Sequence, residues 1–205
     1  MSKVFDLFII GGGINGAGIA RDAAGRGLSV CLADKGEIGG ATSSWSTKLI
    51  HGGLRYLENY EFKLVRESLI EREIVYKIAK PISKPIPFII PYVDKIRPAW
   101  LIKIGLFLYD NLGGKSNIPK SKTLDLKKKF PNILKEKYKT GFQYFDIQID
   151  DKKLTKLNVK DAKRNKAKIL EYNKVKKAEI IDNEWVISLQ SGKKIKSKVL
   201  INASG

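Results

Sequence analysis

Residues 5–34, FDLFIIGGGINGAGIARDAAGRGLSVCLAD, constrain the chain more than any other stretch. An apolar run (Phe5, Leu7, Phe8, Ile9, Ile10) enters Gly11-x-Gly13-x-x-Gly16. A helical stretch follows, and a second apolar run ends at Asp34. Strand, glycine turn, helix and strand in this order make the βαβ unit that holds a dinucleotide. Gly11 permits the tight turn, Gly13 lets the backbone approach a pyrophosphate, and Gly16 lets the helix pack close to the strand. Ile14 and Asn15 open the helix, whose N–H groups and positive dipole end favour phosphate. Asp34, followed by Lys35, stands where a ribose hydroxyl would be gripped. The alternative is a glycine-rich turn in an ordinary α/β unit. The acid eighteen residues past Gly16 argues against it.

The 205 residues, 43% hydrophobic, suffice for one core or a core with a smaller lobe. The single cysteine, Cys31, excludes an intramolecular disulfide framework and fits a reducing compartment. Its position in the second apolar run reads as a small buried strand residue. The N-terminus enters the first strand almost directly, so no signal peptide is expected. No run of 18 apolar residues exists, so no membrane span is expected. No metal site is expected either.

Net charge is +18, with 14 Lys/Arg against 10 Asp/Glu in residues 1–100 and 25 against 11 in the remainder. Such a field favours anionic partners. A general lysine bias accounts for the same excess. Nucleic acid is discounted, because the lysines alternate with apolar positions and no aromatic stacking platform accompanies them.

Strands are expected at 4–10 and 29–34, with a helix from Asn15 to Arg26 between them. Residues 36–53 read as a long polar loop, a length that is usually functional. A helix is expected from Glu58 to Ala79, with Phe62, Val65, Leu69, Ile74 and Ile78 near one face and charged pairs on the other. The proline-rich IPFIIPYV reads as an edge strand. Ala99–Asn111 reads as an apolar helix, favoured as a core helix over an interfacial one. Residues 115–140 read as exposed turns and loop, Gly141–Asp146 as a strand, and Asp150–Ala167 as a helix capped by Asp150 or Asp151. Strand patterns follow at 168–172, 178–181, 185–189 and 194–202, with Asn183 in a hairpin turn. An apolar strand running into Asn202-Ala203-Ser204-Gly205 normally leads into another element, so the chain reads as cut short.

Three segments, IIGGGINGAGIARDAAGRGLSV, ATSSWSTKLIHGGLRYLENYEF and RPAWLIKIGLFLYD, resemble the FAD-dependent glycerol-3-phosphate dehydrogenase family. TSSxSxKLIHGGLRYLE is the specific part, since the first segment alone would fit many flavoproteins. The resemblance runs from residue 4 to 205 and covers the N-terminal half of such enzymes. It implies an α/β class chain: a Rossmann-like FAD-binding domain of the two-domain flavoprotein oxidoreductase type with part of an antiparallel-sheet substrate domain. The implied division is 1–80 for the FAD-binding βαβ unit and active-site loop, 81–148 for the partial substrate domain, and 149–205 for a return to the FAD-binding domain. The implied reaction oxidises sn-glycerol 3-phosphate to dihydroxyacetone phosphate by hydride transfer to flavin. Electrons would then pass to a quinone, with peripheral attachment to the inner face of the cytoplasmic membrane.

By resemblance Thr42, Ser43, Ser44, Ser46, Thr47 and Lys48 line the flavin, Val175 holds the adenine by its backbone, and Ala203 and Gly205 contact the AMP half. His51 is the only histidine. A free imidazole titrates near 6.5 and suits a general base, although a lone histidine is more often structural. Arg55 is suited to a bidentate phosphate pair or, equally, to a salt bridge with Glu58 or Glu61. Tyr56 either donates to substrate or packs.

Members of that family are more than twice this long, and their remaining half adds a flavin contact and further phosphate-binding residues. The enzyme reading therefore has the remainder either supplied by a second chain carrying the missing half or absent only from this sequence. The alternatives are a non-catalytic remnant or one part of a split enzyme. A flavoprotein acting on an amine or amino acid is a weaker reading, opposed by the TSSxSxKLIHGGLRYLE match.

Overall fold

The computed structural model describes residues 3–40, 46–94, 96–131 and 137–205. The elements are β1 (Val4–Ile10), α1 (Ile14–Gly25), β2 (Val30–Ala33), β3 (Leu49–Ile50), α2 (Phe62–Ile78), β4 (Ser83–Pro91), α3 (Ala99–Asn111), β5 (Lys122–Asp125), α4 (Leu126–Lys129), β6 (Thr140–Ile149), α5 (Asp151–Arg164), β7 (Lys168–Leu170), β8 (Val175–Ile181), β9 (Glu184–Leu189) and β10 (Lys194–Asn202). Short 3-10 turns lie at Leu54–Asn59 and Lys80–Ile82. The chain divides into two compact units, Met1–Thr47 with Asp150–Gly205, and Lys48–Ile149.

The first unit is a six-stranded sheet in the order β7-β2-β1-β10-β9-β8. β7, β2, β1 and β10 run parallel, and β9 and β8 complete the sheet antiparallel. Phe8, Ile9, Val30, Cys31 and Leu32 are fully buried, as the continuous apolar runs of central parallel strands require. Ala17, Ala20 and Ala24 form the buried stripe of α1, and their small side chains let the helix lie close to the sheet. Val159 and Ala162 of α5 join the same cluster. Asp150 caps α5, its carboxylate accepting from Lys153 N–H at 2.9 Å. Asp182 and Asn183 both take positive φ (50° and 61°) between β8 and β9, the geometry of a tight hairpin turn.

The second unit is an antiparallel sheet. β6 pairs along its whole length with β4, and on its other side with β3 and β5. β4 keeps an uninterrupted nine-residue register despite Pro85, Pro87 and Pro91. All three have the same parity, so their missing N–H groups fall on the side away from β6, where an edge strand tolerates them. Val65 and Leu69 of α2 and Tyr109 of α3 form the buried cluster of this unit.

Several sequence expectations need correction. The unit boundary falls at Lys48, so residues 48–80 belong with 81–149 in the second unit rather than with the βαβ unit. The buried stripe of α2 is Val65, Leu69, Arg72 and Glu73. Ile74 and Ile78 are exposed because they lie off that line, and Phe62, which lies on it, is exposed as the first residue of the helix. α3 is no core helix: only Leu106 and Tyr109 are buried, while Trp100 (62%) and Phe107 (65%) stand exposed. A helix apolar on all sides packs only the side that meets a neighbour. Residues 115–140 contain β5 and α4, held by pairing with β6 and by the fully buried Leu126. Among the described residues no helix is long and apolar enough to cross a membrane.

Candidate active site

The glycines of the first unit form a cradle at the carboxyl end of β1, where the chain leaves for β2 on one side and returns as β10 on the other. Ligands bind open α/β sheets at such a switch point. A Cβ on Gly16 would stand 1.9 Å from the Gly11 carbonyl oxygen, and one on Gly11 2.5 Å from that of Ala203. Gly11 itself takes φ 102°, a value that favours glycine. Gly13 caps α1 with extended backbone and no side-chain hydrogen bond, and Ile14 and Asn15 stand exposed in the first turn.

Asp34 is more engaged than its sequence position suggested. Its Oδ2 accepts from Gly12 N–H at 2.6 Å and its Oδ1 from Gly36 N–H at 2.7 Å. These bonds fix the carboxylate against the glycine turn and leave each oxygen a further lone pair for a hydroxyl. Lys35 is exposed. Asn173 N–H donates to the Asp34 carbonyl at 2.8 Å, so Val175 begins β8 just past the end of β2. Ala203 N–H donates to the Ile10 carbonyl at 2.8 Å, which brings the Ala203–Gly205 turn beside Gly11. The cradle therefore has the close backbone approach and the carboxylate that a dinucleotide-binding turn uses. The Ser46 hydroxyl donates to Asp151, and Thr47 is exposed. Thr42, Ser43 and Ser44 lie outside the described residues.

His51, Arg55 and Tyr56 come together in the second unit. With Leu49, Gly53, Leu54, Asn59, Phe88, Tyr144 and Asp146 they line a cleft of about 470 Å³, a size that suits a small ligand. Lys48, in the left-handed region, accepts from Ile149 N–H at its carbonyl and starts β3. β3 delivers His51 at its end, Gly53 (φ 71°) turns the chain, and the 3-10 turn presents Arg55 and Tyr56. The Tyr56 ring lies against Gly53, where a Cβ would meet it at 2.6 Å. Of the two expected partners of Arg55, Glu58 forms a two-point pair with Arg97, which holds its carboxyl below the usual range with a smaller contribution from Arg55, and Glu61 forms no salt bridge among the described residues. Among the described residues Arg55 forms no salt bridge within 4 Å, and it lines the cleft, where its guanidinium can meet an anion.

Sequence reasoning missed the sheet side of this cleft. Phe88 of β4 and Tyr144 of β6 are register partners with stacked rings 5.4 Å apart. Asp146 lies two residues on along the same face. Burial, then Asp146, raises the Tyr144 phenol above its ordinary range. A carboxylate within the apolar alternation of GFQYFD was the one signal in the sequence.

The family described as FAD dependent oxidoreductase matches residues 6–205. The chain belongs to this family. Its cofactor is FAD. The chain is 46% identical to a D-erythritol 1-phosphate dehydrogenase of Brucella abortus, over 98% of its own length and 41% of the relative's. It is 45% identical to the aerobic glycerol-3-phosphate dehydrogenase of Escherichia coli, over 98% and 40%. Among solved structures it resembles the FAD complex of the Bacillus halodurans glycerol-3-phosphate dehydrogenase, with TM-score 0.67 and 29% identity over 99% of this chain and 34% of that one. The flavoprotein thus spans about two fifths of the length of the curated relatives it matches.

Proposed function

We propose that this chain supplies the FAD cradle and one wall of the substrate site of a dehydrogenase that oxidises a phosphorylated polyol. The preferred substrate is sn-glycerol 3-phosphate and the product dihydroxyacetone phosphate. The observation that carries the reading is the cleft, where a lone imidazole, a guanidinium with no salt bridge among the described residues and a phenol converge. Arg55 holds the substrate phosphate by paired hydrogen bonds. His51 takes the proton of the C2 hydroxyl on an imidazole nitrogen, and Tyr56 donates to a substrate oxygen. When bound, FAD supplies the acceptor for the hydride that leaves C2. Onward transfer to a quinone, peripheral attachment to the inner face of the cytoplasmic membrane, and a second chain completing the site belong to the same reading.

The test is the absorbance spectrum of the purified 205-residue chain reconstituted with FAD, before and after glycerol 3-phosphate is added without oxygen. Bleaching of a bound flavin peak supports the reading. A retained flavin peak that erythritol 1-phosphate bleaches and glycerol 3-phosphate does not would move the substrate to the longer polyol phosphate, the compound named for the Brucella relative. A peak that neither substrate bleaches would assign this chain a non-catalytic share of a split enzyme.

A further inference from the structure

The turn that carries His51 is held from beneath by a buried polar chain. Gly52 N–H donates to the Tyr109 hydroxyl oxygen at 2.7 Å, and that hydroxyl donates to Asp146 Oδ1 at 2.6 Å. Arg72 Nη1 donates to the same Oδ1 at 2.8 Å and to the Phe145 carbonyl at 3.1 Å. Its guanidinium lies 5.2 Å from the centre of the Tyr109 ring. Tyr109, Asp146 and Arg72 are all nearly fully buried. Burial, then Asp146, pushes the Tyr109 phenol far above its ordinary range, so its proton stays in place at any working pH. The carboxylate, paired with a guanidinium, only accepts. The hydroxyl proton is therefore committed to Asp146, and the hydroxyl's lone pair to Gly52.

A buried ion pair is a weak source of stability, since well-packed apolar residues of similar volume often do as well. An apolar core could not grip the Gly52 amide. We propose that Tyr109, backed by Asp146 and Arg72, is a positioning residue that fixes the Gly52 peptide and with it the bearing of the adjoining His51 imidazole in the cleft. Packing acts in the same sense: a Cβ on Gly52 would stand 2.2 Å from Leu69 Cδ2 and 2.9 Å from Tyr109 Cε2, so the turn has one close-fitting seat. The proposal rests on the reading of His51 as the base.

Because His51 is the only histidine, a chain labelled in histidine and glycine reports one imidazole signal beside the Gly52 amide. Tyr109→Phe keeps the ring and removes the acceptor. The expected result is Gly52 amide exchange at least tenfold faster and a displaced His51 imidazole signal, with the β6 amides still protected. If Tyr109→Phe loses protection throughout β6, Asp146→Asn is read in the same way, since it weakens the acceptor that orients the hydroxyl while leaving Arg72 a partner. Unchanged Gly52 exchange, or faster exchange with an unmoved His51 signal, would overturn the proposal. Titration of glycerol 3-phosphate into the unsubstituted chain tests the base assignment separately. A His51 signal indifferent to substrate counts against that assignment and leaves the positioning result intact.

Discussion

A methyl group at Gly16 should cost this protein more than one at either other glycine of α1, Gly18 or Gly25. The added Cβ would stand 1.9 Å from the Gly11 carbonyl oxygen, about 1.5 Å inside the 3.4 Å at which ordinary contact begins. Gly11 cannot yield, since its N–H is bonded to the Ala33 carbonyl at 2.8 Å and the Ala203 backbone fills the place a side chain on it would take. α1 must therefore lift from β1, parting Ala17, Ala20 and Ala24 from the sheet. A radial gap of roughly 0.5–1 Å already forfeits a quarter to a half of each contact, and overpacking costs run to about 3 kcal/mol. For a chain of this size that lowers the thermal midpoint by about 6–12 °C. Gly18→Ala supplies the opposite sign: nothing lies within 4 Å of its Cβ, and a helix-interior alanine is favoured by about 1 kcal/mol. Melting followed by circular dichroism, with flavin retention on gel filtration, reads both variants. Gly16→Ala should also release FAD, and Gly18→Ala should not. A Gly16→Ala chain melting within a degree of the parent, or a Gly18→Ala chain falling with it, would refute the close-approach argument.

Arg55→Ala should weaken glycerol 3-phosphate binding about tenfold by calorimetry, since a charged hydrogen-bonded pair is lost; unphosphorylated glycerol should show no such dependence. Asp150→Ala removes the α5 cap and should cost about 1 kcal/mol, visible as a lower urea midpoint at unchanged slope. Hydrogen bonds from Lys152, then Lys156, hold the Glu37 carboxyl at about 2 against its ordinary 4.5. A depressed carboxyl stabilises the fold above the unfolded value and loses that contribution as pH falls through the folded one. Stability should therefore drop between pH 4.5 and 2, and Glu37→Gln should flatten that limb of the acid titration. Burial pushes the Cys31 thiol up to about 12, so a thiol reagent should leave it unmodified until the chain unfolds.

Local chemistry makes much of the first unit legible in the sequence. The β1-glycine-α1-β2 unit, the Asp150 cap, the Asn183 turn and the closing strand each depend on residues a few positions apart. The second unit is harder to read because its logic is non-local. The charges of α2 read as a solvated face, yet Arg72 reaches Asp146, 74 positions away, and Glu73 reaches Ser116 and the Asn117 N–H. Nothing near Arg72 in the sequence announces a buried partner. The strand at 122–125 is hidden for the same reason: KTLD is too polar to alternate, and it is a strand only because β6 lies beside it.

The site divides along the same line. His51, Arg55 and Tyr56 fall within six residues, so a short stretch of sequence could nominate them together. What the sequence could not show is the surface they rest on. Phe88, Tyr144 and Asp146 meet the turn only through the pairing of β4 with β6, and Tyr109 arrives from α3. Short sequence motifs nominate groups that touch a ligand, while the groups that hold them at the right angle come from wherever the fold places them. Preorganisation acts through those supporting contacts. The bond from Gly52 to Tyr109 is thus the point in this cleft where a conservative substitution, far from His51 in sequence, should disturb His51 most.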